Sequence, residues 1–490
     1  MLNAPFYPFP ARPDVGKKME SILPKAEYRS TFSVMKPKIL LINPWIYDFA
    51  AYDLWSKPLG LLSIASALRQ QGLEVHLIDC LDIHHPGMKQ DPSLSPPVRR
   101  SYGTGKFWRQ RVSKPPPLKW VPRTYSRYGI TGYLFKGDLE KISRPDAILV
   151  TSLMTYWYPG VQEAIRLARE VFPGVPVILG GIYARLCPEH AREHSGADRV
   201  ISEGGSSAVI RLLSVLHELG IPCHEDDRDA GGLHYPAFDL LRRIDYVCLM
   251  TSTGCPYRCR YCASHYISPD FLKRDPDHVL EEISYWHRDH GIRDFAFYDD
   301  ALLVDSESHI IPLLKAVMRQ DMDLRFHTPN ALHVREISGI VAELLKASGF
   351  RTVRLGFETA DMTLHDHLDK KVSKGECEKA VHNLRNAGFS PGDIGAYILM
   401  GLPGQSVDSV MDSIEFAGGL GVTPFLAEYS PLPHTPLWHD AISHSHLDIA
   451  AEPLYHNNTL LPCWDEGHRQ EVPRLKNRVR EIREAIKHTL

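Results

Sequence analysis

The chain has 490 residues, 43% hydrophobic and 23% charged, an ordinary globular composition that at roughly 150 residues per domain implies two to four domains. Its 56 basic and 59 acidic residues leave a formal charge of -3, so no global basicity recruits nucleic acid and no acidic excess marks disorder. Apolar runs stay far below the ~18 residues of a membrane span. The start, MLNAPFYPFPARPDVGKK, has no basic segment followed by an apolar core, so a cytoplasmic protein is expected. The nine cysteines are odd in number, and Cys255, Cys259 and Cys262 crowd together; this argues against a disulfide framework and for metal or redox chemistry in a reducing compartment.

After an expected N-terminal extension, 1–36, the run KILLIN at Lys38–Asn43 predicts a strand, followed by a helix over 59–71 and a strand over 74–78. The pattern resumes with a strand over 147–151, a helix over 161–171, and a strand at Val177–Leu179 that ends in Gly180-Gly181. A short strand near 199–201 precedes the turn 202–205 and a helix over 206–219. Strands alternating with helices imply an α/β, doubly wound, Rossmann-like domain over 37–225, with its ligand crevice at the carboxyl strand ends. That places Asn43, Thr151, Ser152, Gly180, Gly181, Glu203 and Gly204 around one crevice, where glycines let a bulky ligand approach the backbone.

An insertion, 88–144, interrupts this pattern. Between Arg99 and Lys136 it carries ten basic residues and no acidic one, interleaved with Trp108, Trp120, Tyr125, Tyr128 and Tyr133. Such a segment can cap a ligand or stack an anionic partner, including RNA; it can equally be a loop whose aromatics pack on their own domain.

Beyond a linker, 226–244, a second unit over 245–438 opens with a strand over 246–252 that delivers Cys255-Pro-Tyr-Arg-Cys259-Arg-Tyr-Cys262. Three thiolates at C-x3-C-x2-C spacing can each ligate one iron of a cubane 4Fe-4S cluster, leaving the fourth iron to a non-protein ligand. A Cys3His zinc site completed by His265 is the alternative. Five further strands, over 294–298, 324–328, 352–357, 394–399 and 425–429, alternate with helices, and six such units predict an open, partial (β/α)6 barrel of the TIM type. Its carboxyl strand ends hold Asp299, Asp300, His327, Glu358, Gly401-Leu-Pro-Gly404 and the segment 430–433. A small helical region, 439–490, follows, with an amphipathic helix over 472–490.

The cysteine loop, with Tyr261 just before its last cysteine, resembles the signature of the radical S-adenosylmethionine (SAM) superfamily. YDDALLVD, GFET, ILMGLPGQS and YSPLPHTPLW resemble, in order, segments of the subgroup that joins a cobalamin-binding domain to a radical SAM barrel. PLGLLSIASALRQQGLEVHLID and VILGGIYARLCPEH agree with its N-terminal half, so the resemblance spans 37–438. It implies that Cys255, Cys259 and Cys262 hold a 4Fe-4S cluster whose open iron binds SAM, that Tyr261 contacts the adenine, and that Asp299 or Asp300 accepts the methionine ammonium. Glu358 would meet the ribose, and Gly401 and Gly404 would present backbone to the adenine. The implied reaction cleaves SAM to a 5'-deoxyadenosyl radical and, with cobalamin, methylates an unactivated carbon of a small-molecule or peptide substrate, using an electron donor such as flavodoxin or ferredoxin. A cobalamin-associated radical cyclase or rearrangement enzyme is the alternative within the architecture. A non-catalytic iron-sulfur or zinc protein that binds RNA through 99–136 is the alternative from another class.

Cobalamin domains that ligate cobalt through histidine carry D-x-H-x-x-G after the first strand, but the loop 44–57 has no histidine. A literal match, Asp82-Ile-His84-His-Pro-Gly87, follows the second strand instead, and the expectation is cobalamin bound without a histidine ligand. His190 and His194 read as an exposed or locally capped pair. His434 stands where the resemblance has a glycine, and no catalytic residue is assigned beyond the cluster.

Overall fold

The computed structural model describes residues 36–91, 94, 96–223, 235–368, 372–373 and 375–488. The expected extension up to residue 35 and part of the expected linker, 226–234, lie outside them. Five strands build the N-terminal sheet: β1 (Lys38–Asn43), β2 (Glu74–Asp79), β3 (Ala147–Val150), β4 (Val177–Leu179) and β5 (Arg199–Val200), all parallel, in the order β5-β4-β3-β1-β2. Ile39 to Ile42 of β1 are fully buried, as a strand covered on both faces must be. Helices Leu59–Gln70 and Gly205–Glu218 pack on Ile39 and Leu41, while helix Tyr158–Val171 packs on Leu40 and Ile42. The strand order reverses between β1 and β3, which fixes the crevice of a doubly wound sheet at their carboxyl ends.

The insertion folds largely onto this domain. Trp108, Tyr125 and Tyr128 are buried, with Trp108 Nε1 donating to Ile83 O at 3.1 Å, and of the aromatics singled out above Trp120 and Tyr133 are exposed. Of the readings open in the sequence, packing on its own domain accounts for those three rings. The basic side chains Arg127 and Lys136 pair with Glu163 and Glu170 of helix Tyr158–Val171.

The second unit has strands β6 (Val247–Leu249), β7 (Asp294–Phe297), β8 (Arg325–His327), β9 (Phe350–Glu358), β10 (Ile394–Met400) and β11 (Thr423–Glu428), parallel and in sequential order, the open partial barrel that the spacing predicts. Val353, Leu355 and Phe357 of β9 pack with Leu345, Val381 and Leu384 of the flanking helices in one continuous core. The C-terminal helix Glu466–His488 adds Leu475, Val479, Ile482 and Ile486 to that core and lies along β11. Gly418 permits the close crossing, because a Cβ there would meet Ile482 Cδ1 at 2.8 Å.

The insertion also reaches the barrel. Its short strand Gly105–Lys106 pairs with Tyr52–Asp53, and the adjoining loops bring Trp55 and Tyr102 into the barrel interior. Trp55 stacks on His327 with ring centres 4.6 Å apart, and Tyr102 lies at the same distance on the same ring. Tyr246, just before β6, donates to Asp53 at 2.5 Å, and Arg99 pairs with Asp53 at 2.8 Å. The barrel is thus plugged from its amino end. At the other end, Asn457 donates to Asp48 (2.8 Å), His456 pairs with Thr155 (2.9 Å) and Tyr158 donates to Glu452 (3.2 Å), bracing the C-terminal segment against the N-terminal domain. Among the described residues no helix is long and apolar enough to cross a membrane.

Candidate active site

The expected strand 246–252 ends at Leu249, because the next residues turn to serve Asp299. That buried carboxylate accepts from Thr251 N (3.0 Å), Thr251 Oγ1 (2.7 Å), Ser252 N (2.6 Å) and Ser252 Oγ (2.7 Å). Burial raises its pKa, and these bonds offset only part of the shift. Asp299 is therefore the clasp that sets the start of the cysteine loop, and the exposed Asp300 is the carboxylate that faces outward at this strand end. The two aspartates, alternatives for one role in the sequence, have different environments.

Downstream, the cysteine loop is tied from several sides. Arg260 N donates to Leu368 O at 2.8 Å, Leu437 N donates to Arg260 O at 2.9 Å, and Tyr257 OH donates to Glu336 at 2.8 Å. Cys259 is buried, Cys255 and Cys262 are partly accessible, and Ser264 N donates to Cys262 Sγ at 3.4 Å. Among the described residues no three His, Cys, Asp or Glu side chains converge on one metal position, so the Cys3His set with His265 is not assembled. A cubane asks for something else, since each thiolate serves a different iron, and three thiols on one pinned, half-open loop fit that demand. Cys463 packs in the same apolar cluster as Tyr261, a proximity that the sequence does not signal. Burial pushes its thiol up to about 12, well above the ordinary thiol range.

Tyr261 shares that cluster with Leu399 and Leu402, so the ring lies beside the turn at Gly401. The turn is built by Gln405, whose Oε1 accepts from Gly401 N (2.9 Å) and Leu402 N (3.2 Å) while its Nε2 donates to Leu399 O (3.0 Å). Gly401 and Gly404 both have positive φ. Gly401 thus contributes shape and its carbonyl, its N–H being engaged. Glu358 ends β9 at a register shift with φ +66°, a conformation rare for a side chain of this size and concentrated at functional sites. His327, by contrast, faces the amino-end plug.

At the N-terminal sheet the structure brings together Asn43, Thr151, Ser152, Gly180 and Gly181. Asn43 Nδ2 donates to Asp79 at 2.7 Å, and Ser152 Oγ donates to Gly180 O at 2.7 Å. Gly181 has φ +96° and a Cβ there would fall 2.2 Å from Ser152 O, whereas Gly180 has nothing within 4 Å of that position, an open flank suited to a large planar group. Glu203 is exposed in the turn between the edge strand and helix Gly205–Glu218. Gly204 departs from expectation, because the atom that approaches it belongs to the chain: a Cβ would lie 1.4 Å from Arg185 Nη1. Arg185, from helix Ile182–Leu186, also donates through Nη2 to Tyr266 O at 2.7 Å, four residues past Cys262. Tyr266 stacks on His434 at 4.1 Å and 6°, and His434 has φ +67°, the left-handed conformation that suits glycine. Apart from the unusual histidine, no local pattern in the chain signals this Arg185–Tyr266–His434 stack.

The corrinoid fit follows from the loop 44–57. Trp45, Ile46, Phe49 and Trp55 are buried and Asp48 accepts from Trp157 Nε1 at 2.7 Å, so this loop presents no imidazole to a metal. His84 of the literal D-x-H-x-x-G match instead pairs with Asp245 at 2.5 Å, and His85 pairs with Asp138 at 3.0 Å. An open glycine flank without a histidine suits cobalamin held by its periphery.

The Radical SAM superfamily model matches residues 249–417 and the B12 binding domain model matches residues 139–211. The chain is a radical SAM enzyme that carries a cobalamin-binding domain, a class whose cofactors are a 4Fe-4S cluster, SAM and cobalamin and whose members commonly take an electron from a separate donor. It is 26% identical over 353 residues to an uncharacterized methyltransferase of Pyrococcus horikoshii, covering 65% of this chain and 74% of that one. It is 21% identical to cytidylyl-2-hydroxyethylphosphonate methyltransferase of Streptomyces wedmorensis, over 85% of this chain and 84% of the relative. The radical SAM methyltransferase TsrM of Kitasatospora setae, solved with cobalamin and a [4Fe-4S] cluster, superposes with a TM-score of 0.60 at 18% identity, covering 89% of this chain and 86% of that one. That likeness shows a shared fold.

Proposed function

We propose that the chain methylates an unactivated carbon of a small-molecule or peptide substrate. The observation that carries this reading is the Arg185–Tyr266 hydrogen bond of 2.7 Å, which ties the carboxyl end of the N-terminal sheet to the cysteine loop. A methyl carrier in one domain and a hydrogen-abstracting centre in the other must face one another, and this contact is consistent with that juxtaposition. Bound there, the reduced cluster and SAM supply a carbon-centred radical and cobalamin supplies the methyl carrier. Cys255, Cys259 and Cys262 hold the cluster, Asp300 receives the methionine ammonium, Glu358 meets the ribose, and Tyr261 with the Gly401–Gly404 turn flanks the adenine. Asn43, Thr151, Ser152, Gly180 and Gly181 line the corrinoid crevice, with Gly204 and Glu203 at its edge. Three of the curated relatives are named methyltransferases, which supports methyl transfer, and three are named anaerobic magnesium-protoporphyrin IX monomethyl ester cyclases, which supports the ring-forming alternative.

The test is product analysis under anaerobic reduction with cobalamin supplied. The 5'-deoxyadenosine formed together with S-adenosylhomocysteine supports methyl transfer. The former without the latter overturns it in favour of ring formation or rearrangement.

A further inference from the structure

On the amino side of the barrel interior Asp294, Arg325 and His327 pair with one another, whereas among the described residues Arg354 forms no ion pair. Asp294 accepts from Arg325 Nε at 2.7 Å and Nη2 at 2.5 Å, and lies 3.1 Å from His327 Nε2. Arg354 of β9 has no such carboxylate. Its neighbours Val353 and Leu355 belong to the core behind the sheet, so strand alternation turns Arg354 inward, on the same face as Glu358. Its Nη1 reaches only the carbonyl of Val353, at 3.0 Å, and its guanidinium carbon lies 4.6 Å from the centre of the Phe425 ring.

A second cation reaches the same ring from another element. Arg483 of the C-terminal helix stands 4.2 Å from it, held by Nε and Nη2 bonds of 3.0 and 2.8 Å to Pro424 O. Glycine at 395 permits this convergence, because a Cβ there would meet the Phe425 ring at 2.6 Å and Arg354 Cδ at 3.1 Å. Arg100, from the amino-end plug, lies within electrostatic reach of Arg483. Desolvation pushes both Arg354 and Arg483 below the usual guanidinium range, and Arg483 is pushed further by Arg354 and Arg100. Asp393 is the acid that Arg354 feels, but its carboxylate already accepts from Ser390 N at 3.0 Å and lies 4.0 Å from Lys346. Among the described residues none of the three arginines forms an ion pair. Like charges brought together by three separate elements, partly desolvated and unneutralised, are unfavourable until an anion joins them.

We propose that Arg354 and Arg483, which flank the Phe425 ring, bind a small oxyanion, a phosphate or carboxylate group, with the exposed Arg100 adding to the positive field. The site stands on these arginines whether or not the chain transfers methyl groups; only a link to turnover rests on that reading. The group is either the anionic end of the substrate, reaching down the barrel from Glu358, or a free oxyanion.

Inorganic phosphate is the probe, titrated calorimetrically into the full-length, cluster-reconstituted protein and into Arg354→Gln, Arg483→Gln and, as a paired surface control, Arg69→Gln. Saturable binding that weakens at least about ten-fold in the first two variants and not in the third is expected, along with loss at high salt. Thermal melts and iron content report whether each variant is folded, and Arg100→Gln, at an exposed position, covers the case in which Arg354→Gln is not. No saturable binding by the wild type up to about 10 mM, or unchanged binding in the folded variants, overturns the proposal. The source is read separately from the electron paramagnetic resonance of the reduced cluster with SAM. A spectrum altered by phosphate assigns the anion to the substrate chamber, and phosphate binding with an unaltered spectrum assigns a free oxyanion.

Discussion

At the amino end of the barrel Asp53, Arg99, Tyr246, Asp294, Arg325 and His327 pair with one another around Trp55 and Tyr102, two positive-φ residues whose rings pack on His327, whereas at the carboxyl mouth Glu358 and His434 hold positive φ beside the strand ends and the cysteine loop. The difference separates two kinds of constraint. Positive φ and an unpartnered buried donor occur at both ends, so neither alone marks a binding site; what differs is that charge pairs and stacked rings surround the amino-end plug, whereas the strained positions at the carboxyl mouth border the cysteine loop and the strand ends.

The largest expected effect breaks the carboxyl mouth alone. Changing Cys255, Cys259 and Cys262 together to alanine should reduce bound iron and sulfide to background and abolish 5'-deoxyadenosine formation, with the melting temperature of the cluster-free protein little changed. Cluster retention in that variant would remove the assignment of the loop. Trp55→Ala tests the opposite end. Loss of a buried indole stacked on His327 should cost about 3–5 kcal/mol of stability, read from the denaturant midpoint, with cluster content retained in the folded fraction.

Asp299 and Glu358 sharpen the contrast within the mouth itself. Asp299→Asn cannot accept from all four donors, so stability should fall by about 2 kcal/mol in chemical denaturation. Glu358→Gln should leave stability nearly unchanged and weaken SAM binding by roughly ten-fold in equilibrium dialysis. The reverse pattern would exchange their roles.

A smaller effect belongs to the brace between the domains. Burial lowers His456 to about 4, and the neutral ring donates from Nε2 to Ile449 O (2.8 Å) while Nδ1 accepts from Thr155 Oγ1. Its folded pKa lies below the ordinary histidine value of about 6.5, so the unfolded chain binds more protons between these limits. Its contribution to stability is complete above pH ~6.5 and is lost as pH falls toward about 4. His456→Gln should flatten that acid limb by roughly 1–3 kcal/mol, measured as the melting temperature against pH.

What could be read from the sequence follows the same division. Hydrophobic runs and their alternation with helices located the strands to within a few residues, and the C-x3-C-x2-C spacing marked the loop that Asp299 clasps. The amino-end plug was not legible, because Trp55 and Tyr102 meet His327 only through contacts hundreds of residues apart and no local pattern records them. The same limit hid Arg185 behind Gly204: a glycine that reads as room for a ligand is equally room for the chain's own guanidinium. In the insertion, the ten cations drew attention to charge, but Trp108, Tyr125 and Tyr128 are core residues.

The smallest expected effect concerns His84, which sequence pattern and structure value differently. As a literal D-x-H-x-x-G match it would be a cobalt ligand, and its loss should then weaken cobalamin binding severely and change the spectrum of the bound corrinoid. In the fold it follows β2, its ring bonds to Asp245 immediately before Tyr246 and β6, and the side chain is 26% exposed. A partly exposed ion pair of this kind contributes about 0–1 kcal/mol. His84→Ala should therefore lower stability by less than about 1 kcal/mol and leave both cobalamin affinity and the electron paramagnetic resonance of bound cob(II)alamin unaltered, with no nitrogen splitting in either protein. Nitrogen splitting in the wild type that disappears in His84→Ala would reassign the second-strand loop from domain linkage to metal ligation.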